Sequence, residues 1–292
     1  MFTATLIAAD RLDAGDCSTA ADRLAQAGCM PSAPLWIDAG RAADIPFATD
    51  AAAARVALER AFARVDIVVQ PSATRAKALI VADMDSTMIT VECIDELADY
   101  AGIKAEVAEV TERAMRGELD FEAALDARVA LLAGLDEAVI ARCLKERVTI
   151  MPGAKTLVRT MRAQGATAIL VSGGFTRFAE PVAAEIGFDR AIANRLLIAD
   201  GRLTGAVAKP IVGAATKEET LLAAIEAGGI DPARSLAVGD GANDLAMIRR
   251  AGLGVAYHAK PVVAAAAAAR IDHGDLSALL YAQGYPRTIW VD

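Results

Sequence analysis

The sequence predicts an α/β protein built on a Rossmann-like parallel sheet, and two observations carry this prediction. From Ala78 onward, short apolar runs alternate with longer segments of helical period, which is typical of parallel strands joined by crossover helices. The strongest strand candidates also end in acidic or glycine residues, and they are ALIVAD, ATAILVSG and SLAVGD. Ligands bind just beyond such carboxyl ends in open α/β sheets, so we expect a site there.

Residues 1 to 75 predict a separate, small α+β module. Strand-like and helix-like segments alternate in the order β-α-β-α-β: TATLIAA, CSTAADRLAQAG, APLWIDA, DAAAARVALERAFA and VDIVVQP. A ferredoxin-like unit is one fold with such a pattern. The turn-forming composition of QPSATRAK (70–77) indicates a linker, which leaves residues 76–292 as the main domain.

A mostly helical insert of about residues 91–150 separates the first two strands of the main domain. Its segments have apolar residues at helical spacing, and they are VECIDELADY, KAEVAEVTERAM, DFEAALDARVALLAG and DEAVIARCLKE. Asp120 is predicted to cap a helix N-terminus. Because the insert follows the acidic end of the first strand directly, we expect it to cover that end as a cap.

Two later segments have distinct patterns. Asp200-Gly201, within LLIADGRLTGAV, is the standard signal for a two-residue hairpin turn. PVVAAAAAAR (261–270) predicts an alanine-rich helix with no assigned function.

Composition narrows the class of protein. The 292 residues are 55% apolar and carry a net charge of −8, which favours a large buried core and argues against nucleic acid as a main partner. The N-terminus lacks the basic region of a signal peptide, and no apolar run approaches the roughly 18 residues of a membrane span. The cysteines form no CxxC pair and suggest reduced thiols: Cys17, Cys29, Cys93 and Cys143. We therefore expect a soluble cytoplasmic protein with no membrane partner.

Asp83 and Asp85, in the stretch ALIVADMDSTMITVE, form the first cluster of candidate site residues. Two apart on an extended chain, they leave the same face of the strand, so they either share a proton or bind a cation. An EF-hand calcium loop fails on spacing, because Met88 and Ile94 stand where Gly and Glu are required. Helix caps or surface turns remain the structural alternative.

Asp240, in AVGDGANDLAMIRRAG, is a third acid at a strand end. Asn243 and Asp244 follow in the same turn. Helix capping explains one such residue, but three polar oxygens within five positions favour a hard cation such as Mg²⁺. The chain has only two histidines, neither in a ligand pattern, so zinc is not expected.

Two further clusters suit an anion. LVSGGF places two glycines after a strand, in a turn rich in backbone N–H donors. Thr216 to Glu219 fits a capping box, which would put Lys217 at the first helical position, where the helix dipole disfavours a cation. A solvent-exposed lysine is the ordinary alternative, but a bound anion would stabilise it.

The four clusters together suit one reaction. Carboxylates can hold a divalent cation, while a hydroxyl, a lysine and free N–H groups can hold a phosphate. That combination is typical of phosphoryl transfer, in which positioning and charge neutralisation carry most of the catalysis. One of the paired acids would attack phosphorus, and the other would transfer the proton.

The clusters DMDST, SGG, Lys217 at its helix start, and GDGAND resemble, in order and spacing, the four motifs of haloacid dehalogenase-type phosphatases. Longer stretches within 78–292 resemble the branch of that family that acts on phosphoserine: DMDSTMITVECIDELA, MPGAKTLVRTMRAQG, LVSGGFT, DGRLTG and GDGANDLAMIRRAGLGVA. The resemblance implies a Mg²⁺-dependent phosphatase that releases L-serine from O-phospho-L-serine through an aspartyl-phosphate, as the last step of serine biosynthesis.

The resemblance also implies a role for each motif residue. Asp83 would be the nucleophile, and Asp85 would protonate the leaving oxygen and then deprotonate water. The Asp83 carboxylate, the Asp85 main-chain carbonyl and Asp240 would hold Mg²⁺. The groups expected around the substrate phosphate are Ser172, Gly173, Lys217 and Asn243, with Asp244 orienting Lys217 or a metal-bound water.

The cap would choose the substrate. By resemblance, Glu92 pairs with the ammonium of phosphoserine and Arg128 with its carboxylate, while Met115 and Phe121 supply apolar contacts. Exposed helix charges are the alternative for Glu92 and Arg128. Two rival functions remain. One is a phosphatase or phosphotransferase of the same superfamily that acts on another phospho-amino acid (phosphohomoserine or phosphothreonine) or on a sugar phosphate. The other is a non-catalytic regulator that binds metal and amino acid. Relatives often carry a regulatory N-terminal module, sometimes of the amino-acid-binding ACT type, and a homodimer is expected by analogy.

Overall fold

The computed structural model describes residues 1–59, 61–115 and 118–292, except for the side chain of Met115. Within these residues, a six-stranded parallel sheet flanked by helices forms the main body, and a four-stranded antiparallel sheet forms the N-terminal part. The predicted α/β architecture with a Rossmann-like sheet, a helical cap and a small α+β unit is confirmed.

The N-terminal module has the order β-α-β-β-α-β, so the sequence missed one strand. Its elements are β1 (Phe2–Ala8), α1 (Ala14–Gln26), β2 (Leu35–Asp38), β3 (Ala42–Phe47), α2 (Ala51–Leu58) and β4 (Val65–Pro71). The sheet order β2-β3-β1-β4 is that of a ferredoxin-like unit. The missed strand, β3, contains Asp44 and Pro46, and such residues argue against a central strand.

The module packs directly onto the main domain. The Asp66 carboxylate on β4 accepts hydrogen bonds from the backbone N–H groups of Asp272, His273 and Gly274 at 2.8, 3.2 and 2.7 Å. The predicted linker contributes to this contact, because Gln70 donates to the Ala282 carbonyl at 2.7 Å and is itself buried.

The main sheet brings the three polar strand ends together. Its strands are β5 (Leu79–Ala82), β6 (Thr167–Phe175), β7 (Arg190–Asn194), β10 (Ser235–Gly239), β11 (Leu253–Tyr257) and β12 (Ala269–Ile271), in the order β12-β11-β10-β5-β6-β7. β5 therefore lies between β10 and β6, and both of its neighbours run parallel to it. The carboxyl ends of all three strands meet at one edge.

Helices cover both faces of this sheet, so its strands are nearly continuous apolar runs. These helices are α7 (Ala154–Ala163), α8 (Thr176–Ile186), α9 (Ala214–Gly228), α10 (Leu245–Arg250), α11 (Pro261–Ala266) and α12 (Ala278–Ala282). The predicted alanine-rich helix is wrong over its second half, because α11 ends at Ala266 and β12 begins at Ala269. Parallel pairing of β12 with β11 outweighs the helical propensity of alanine there.

The cap consists of the four predicted helices, α3 (Cys93–Ala101), α4 (Lys104–Met115), α5 (Phe121–Ala130) and α6 (Ala138–Glu146). Asp120 caps α5 as predicted, since its side chain accepts from the Ala123 N–H at 2.8 Å. The two chain segments that enter and leave the cap pair with each other: Thr90 N–H donates to the Thr149 carbonyl, and Met151 N–H donates to the Met88 carbonyl. We call this pairing the cap hinge (residues 88–90 and 149–151).

An antiparallel hairpin of β8 (Leu196–Ala199) and β9 (Arg202–Val207) follows β7. Its turn is the predicted Asp200-Gly201, with φ values of +50° and +73°, which suit a type I′ turn. All four cysteines are free thiols and buried, as expected. Among the residues described, no helix combines the length and apolarity that a bilayer crossing requires.

Candidate active site

A cavity of about 510 Å³ lies between the carboxyl edge of the sheet and the cap. Strand-end residues form its floor and cap residues form its roof. The lining includes most of the predicted site residues: Asp83, Asp85, Glu92, Phe121, Arg128, Gly173, Asp240 and Asn243. The sequence-distant clusters therefore meet in one place.

Lys217 joins two of the acids beneath the cavity floor. Its Nζ lies 2.6 Å from Asp83 Oδ1 and 2.6 Å from Asp244 Oδ1, and its side chain is fully buried. Burial acts to lower the pKa of Lys217, but the charges of Asp83 and Asp244 outweigh it and raise that pKa. The lysine is a fixed cation at this site.

The predicted capping box at Thr216 is wrong. α9 begins at Ala214 with Gly213 as its N-cap, so Lys217 is the fourth helical residue rather than the first. Thr216 is the third, and its hydroxyl accepts from the Gly213 N–H at 3.5 Å. A glycine N-cap gives no side-chain signal, and for this reason the sequence pattern pointed three residues too late.

Three carboxylates form a compact acidic group. Asp83, Asp240 and Asp244 each place one oxygen within 4.8 Å of the other two. Burial, and then the charge of Asp83, raises the pKa of Asp240 to about 6, and the same two causes raise that of Asp244 to about 7 against the opposing effect of Lys217. Hard oxygen donors with this surplus of negative charge suit a divalent cation.

Asp240 and Asp244 are each held by further contacts. Thr87 Oγ1 donates to Asp240 Oδ1 at 3.2 Å, and the Gly241 N–H donates to Asp244 Oδ2 at 3.0 Å. Asp244 therefore belongs both to the acidic group and to the lysine pair. The expected metal set was the Asp83 carboxylate, the Asp85 main-chain carbonyl and Asp240, and it gave Asp244 only an orienting role.

Asp85 differs in environment from Asp83. Its Oδ1 accepts from the backbone N–H of Cys93, the first residue of α3, at 3.2 Å. Burial first, and then the charges of Glu92 and Asp83, raise the pKa of Asp85 to about 8. Asp85 is thus an acid that keeps its proton near neutral pH, which is what proton donation to a leaving group requires.

The Ser-Gly-Gly segment lies in a bulge at the end of β6. Register is lost between Val171 and Phe175, which pairs with Asn194. Ser172 is fully buried, and its Oγ accepts from the Gly174 N–H at 2.8 Å. One of the two glycine N–H groups expected to be free is therefore occupied, whereas Gly173 lines the cavity.

Cap residues bring a second set of charges to the cavity. The Ser86 hydroxyl donates to Glu92 Oε1 at 2.7 Å, and Glu92 is open to the cavity but enclosed enough that burial raises its pKa. Arg128 is half-buried, its Nε donates to the Ala124 carbonyl at 3.2 Å, and burial lowers its pKa. The predicted contact of Met115 lies outside the described residues.

Lys260 and Asn194 are among the residues near the cavity that the sequence reasoning missed. Lys260 lines the cavity, and its backbone N–H donates to the Asp240 carbonyl at 3.2 Å. Asn194, at the end of β7, bonds to the backbone of two loops of the site. Neither residue lies in a recognisable motif: Lys260 precedes Pro261, and Asn194 is the last residue of β7, next to Arg195.

A parallel sheet whose carboxyl edge carries an aspartate pair, a buried lysine and a further acidic turn, all under a helical cap, defines a class of hydrolases. The family model described as haloacid dehalogenase-like hydrolase matches residues 80–249, which is more than half of the chain. The chain belongs to this family.

Within the family, the chain is similar to several phosphoserine phosphatases. The chain is 46% identical to the phosphoserine phosphatase of Streptomyces coelicolor over 82% of its own length, but it spans only 58% of the length of that relative. It is 48% identical to the shorter phosphoserine phosphatase of Albidiferax ferrireducens, over 69% of this chain and 87% of the other. A crystal structure of a probable phosphoserine phosphatase from Vibrio cholerae superimposes with a TM-score of 0.77 at 35% identity, covering 96% of this chain and 88% of that one.

Proposed function

We propose that the protein is a Mg²⁺-dependent phosphatase that hydrolyses O-phospho-L-serine to L-serine and phosphate, the last step of serine biosynthesis. The observation that carries the proposal is the contact of Lys217 with Asp83 and Asp244, 2.6 Å each, beside the third acid Asp240. A buried cation and a cation-binding acidic group at one strand edge match the needs of a phosphate dianion and its counter-ion. The similarity to phosphoserine phosphatases supports the substrate.

The two paired aspartates divide the chemistry. A carboxylate oxygen of Asp83 attacks phosphorus, and the bond from phosphorus to the serine oxygen breaks. The leaving oxygen takes the proton of Asp85, whose raised pKa keeps that proton available. In the second half, water attacks the aspartyl-phosphate, gives its proton to Asp85 and releases phosphate, which restores both carboxyl groups.

The phosphate oxygens would be held by the floor of the cavity. Lys217, placed against Asp83, faces the charge that develops on the transferring group. Ser172, Gly173 and Asn243 complete this set, the last two from the cavity lining. Asp244 Oδ1, 2.6 Å from Lys217 Nζ, orients the ammonium group of that lysine.

The metal site would use the Asp83 carboxylate, the Asp85 main-chain carbonyl and Asp240, with Asp244 close enough to contribute through water. When bound, Mg²⁺ polarises the phosphoryl group and neutralises part of its charge. Mg²⁺ itself is proposed because a set of oxygen donors with few carboxylates suits that ion.

The amino-acid part of the substrate would lie against the cap. Glu92 offers a carboxylate to the ammonium group, Arg128 offers a guanidinium to the carboxylate, and the Phe121 ring covers the apolar stem. Glu92 and Arg128 line the same cavity as Asp83 and Asp85. This supports a phosphate monoester of an amino acid over a phosphate monoester of an uncharged alcohol.

The test is phosphate release from a panel of phosphorylated amino acids and sugars with and without Mg²⁺. Phosphohomoserine, phosphothreonine and sugar phosphates are the alternatives, and a higher kcat/KM for one of them would replace phosphoserine. No Mg²⁺-dependent turnover of any panel member would instead favour a non-catalytic regulator.

Arg128→Ala tests the substrate contact itself. Removing one partner of an enclosed charge pair leaves the other unpaired, so we expect kcat/KM for phosphoserine to fall ~100-fold, while that for p-nitrophenyl phosphate changes little. Arg142→Ala is the matched control, because Arg142 is an exposed cap arginine that stacks on Tyr100 at 4.9 Å. Equal losses on both substrates would remove Arg128 from the proposed role.

Three further expectations stay proposals. We place the protein in the cytoplasm, and four free buried thiols support a reducing compartment. We propose a homodimer, which sedimentation of the purified protein tests. We propose residues 1–75 as a regulatory, ACT-like module beside a phosphatase domain of residues 76–292, supported by the ferredoxin-like strand order.

A further inference from the structure

Asn194 ends β7 and is 1% exposed. β7 pairs with β6 on both sides of the bulge, through Ile192 with Val171 and through Asn194 with Phe175. Three residues of β6, Ser172 to Gly174, therefore stand opposite a single residue of β7. Such a bulge removes backbone groups from the ladder, and they need other partners.

The Asn194 side chain supplies a partner for one of those groups, the Gly173 carbonyl, and joins two loops. Its Nδ2 donates to the Gly173 carbonyl at 2.9 Å and to the Val212 carbonyl at 3.1 Å. Its Oδ1 accepts from the Val212 N–H at 2.8 Å. One buried amide thus uses both of its donors and its acceptor to fix the Gly173 loop beside the residue that precedes α9.

Both loops serve the site. Gly173 lines the cavity, and Val212 is followed by Gly213, the N-cap of the helix that carries Lys217. The ring of Phe121, from the cap, lies across the two glycines. A Cβ placed on Gly173 or on Gly213 would come within 3.2 Å of that ring. The joined loops therefore form one surface against which the Phe121 ring packs.

Only an amide satisfies all three backbone groups. An ionised aspartate would keep the bond from the Val212 N–H but would face two carbonyl oxygens, Gly173 and Val212, with like charge. A serine is too short to reach both loops. Buried carbonyl groups without a donor are unfavourable, so either change would let the loops move apart.

We propose that Asn194 is a positioning residue for phosphoryl transfer, because it sets the distance between the Gly173 loop and the start of the helix that carries Lys217. The same distance fixes the surface against which the Phe121 ring packs. This inference rests on the proposed function. It adds a residue that touches neither phosphate nor metal but fixes the loop of Gly173 beside the start of the helix that carries Lys217.

Asn194→Asp tests the proposal through its pH profile. At about pH 9.5 the buried carboxylate, whose pKa its surroundings raise, is ionised and repels both carbonyls, and a displacement of about 1 Å costs ~100-fold in kcat/KM relative to the wild type. At about pH 6 the carboxyl regains its proton and donates one hydrogen bond, so the ratio of variant to wild type should rise ~10-fold. The measurement is kcat/KM of both proteins at both pH values, with Mg²⁺ present and folding checked by circular dichroism.

Gln70→Glu is the matched control. Gln70 is a buried amide that donates to the Ala282 carbonyl, in the contact between the N-terminal module and the main domain. The same change of amide to acid should lower Tm but leave kcat/KM at the wild-type level at both pH values. A pH-independent ratio near 1 for Asn194→Asp, or the same profile in both variants, would overturn the proposal.

A second variant covers failure to fold. If Asn194→Asp does not fold, Asn194→Ser is measured, and we expect kcat to fall ~10-fold or more, with Tm above the assay temperature. A wild-type kcat in that variant would overturn the proposal. Wild-type turnover of phosphoserine is measured first, and its absence counts against the proposed function only, because the Asn194 comparison then uses p-nitrophenyl phosphate.

Discussion

Lys217 in the cavity floor and Arg75 at the N-terminal module both bind buried carboxylates, but the charge around them differs. Arg75 forms two bonds with Asp44, at 2.6 and 3.1 Å, and the Thr5 hydroxyl donates to the same carboxylate at 2.7 Å. One cation there meets one anion. Lys217 meets two acids, and Asp240 adds a third within the same small volume.

The difference separates structural from functional charge. A balanced, bidentate pair needs no further ligand, and breaking it leaves a buried charge unpaired. Burial, and then the charge of Asp83, raises the pKa values of Asp240 and Asp244, and protons or a bound cation relieve this surplus of negative charge. We therefore expect variants of the Arg75–Asp44 pair to lose stability and variants of the acids around Lys217 to lose activity.

The largest expected effect comes from Asp83→Asn. Without the attacking carboxylate, kcat should fall at least ~10⁴-fold, as measured by phosphate release with Mg²⁺. The metal-free Tm should equal or exceed that of the wild type, because the charge of Asp83 contributes to the raised pKa of four neighbouring acids (Asp85, Glu92, Asp240 and Asp244), whereas Lys217 keeps Asp244. A Tm well below that of the wild type would show that the acids of the site stabilise the fold.

Asp44→Asn should show the reverse. It leaves Arg75 without its anion, so the free energy of unfolding should fall by about 3 kcal/mol in urea titrations, with kcat/KM unchanged. Asp10→Asn is the control, since the Asp10–Arg64 pair is about two-thirds exposed and such pairs contribute little. Equal effects of the two variants would contradict a structural role for Arg75–Asp44.

Mg²⁺ should stabilise the folded protein by binding at the acidic group of Asp83, Asp240 and Asp244. At 100 times its Kd, Mg²⁺ should raise the free energy of unfolding by about 2.7 kcal/mol, seen as a higher Tm that chelation reverses. Asp240→Asn should remove most of this gain, and Asp44→Asn should keep it. A gain that survives in Asp240→Asn would place the metal elsewhere.

The smallest effect concerns pH. The folded-state pKa of Asp240, about 6, lies above its ordinary value of 3.8, so the folded protein holds the proton more tightly. In the metal-free protein, the contribution of Asp240 to the free energy of unfolding is therefore fully present below about pH 4. It is lost as the pH rises through 6, which lowers that free energy by about 1–2 kcal/mol. Urea titrations at several pH values should show this slope in the wild type, and a flatter one in Asp240→Asn.

Much of the architecture was readable from the sequence because strand ends, caps and turns have local signals. The cap helices, the Asp120 cap and the Asp200-Gly201 turn all depend on residues within a few positions of each other. β3 was not readable, since the burial of Asp44 depends on Arg75, 31 residues away. Local propensity fails where a distant partner compensates.

The site followed the same rule. The sequence predicted Asp83, Asp85 and Asp240 as site residues, because they are acids that follow apolar strands directly. Asn194 could not be found, because its three bonds reach residues 18 and 21 positions away and its purpose exists only in the folded chain. The fourth-position placement of Lys217 was hidden by a glycine N-cap.

The cap hinge restricts how substrate can enter. Thr90 with Thr149 and Met151 with Met88 join the two connections of the cap into one short ribbon, so neither connection can lengthen without the other. The cap also pairs with the β8–β9 hairpin, where the Gly134 N–H donates to the Leu203 carbonyl and the Leu203 N–H donates to the Leu135 carbonyl. A cap movement that separates Phe121 from Gly173 and Gly213 must therefore bend both connections together and either carry this hairpin along or break its pairing with the cap.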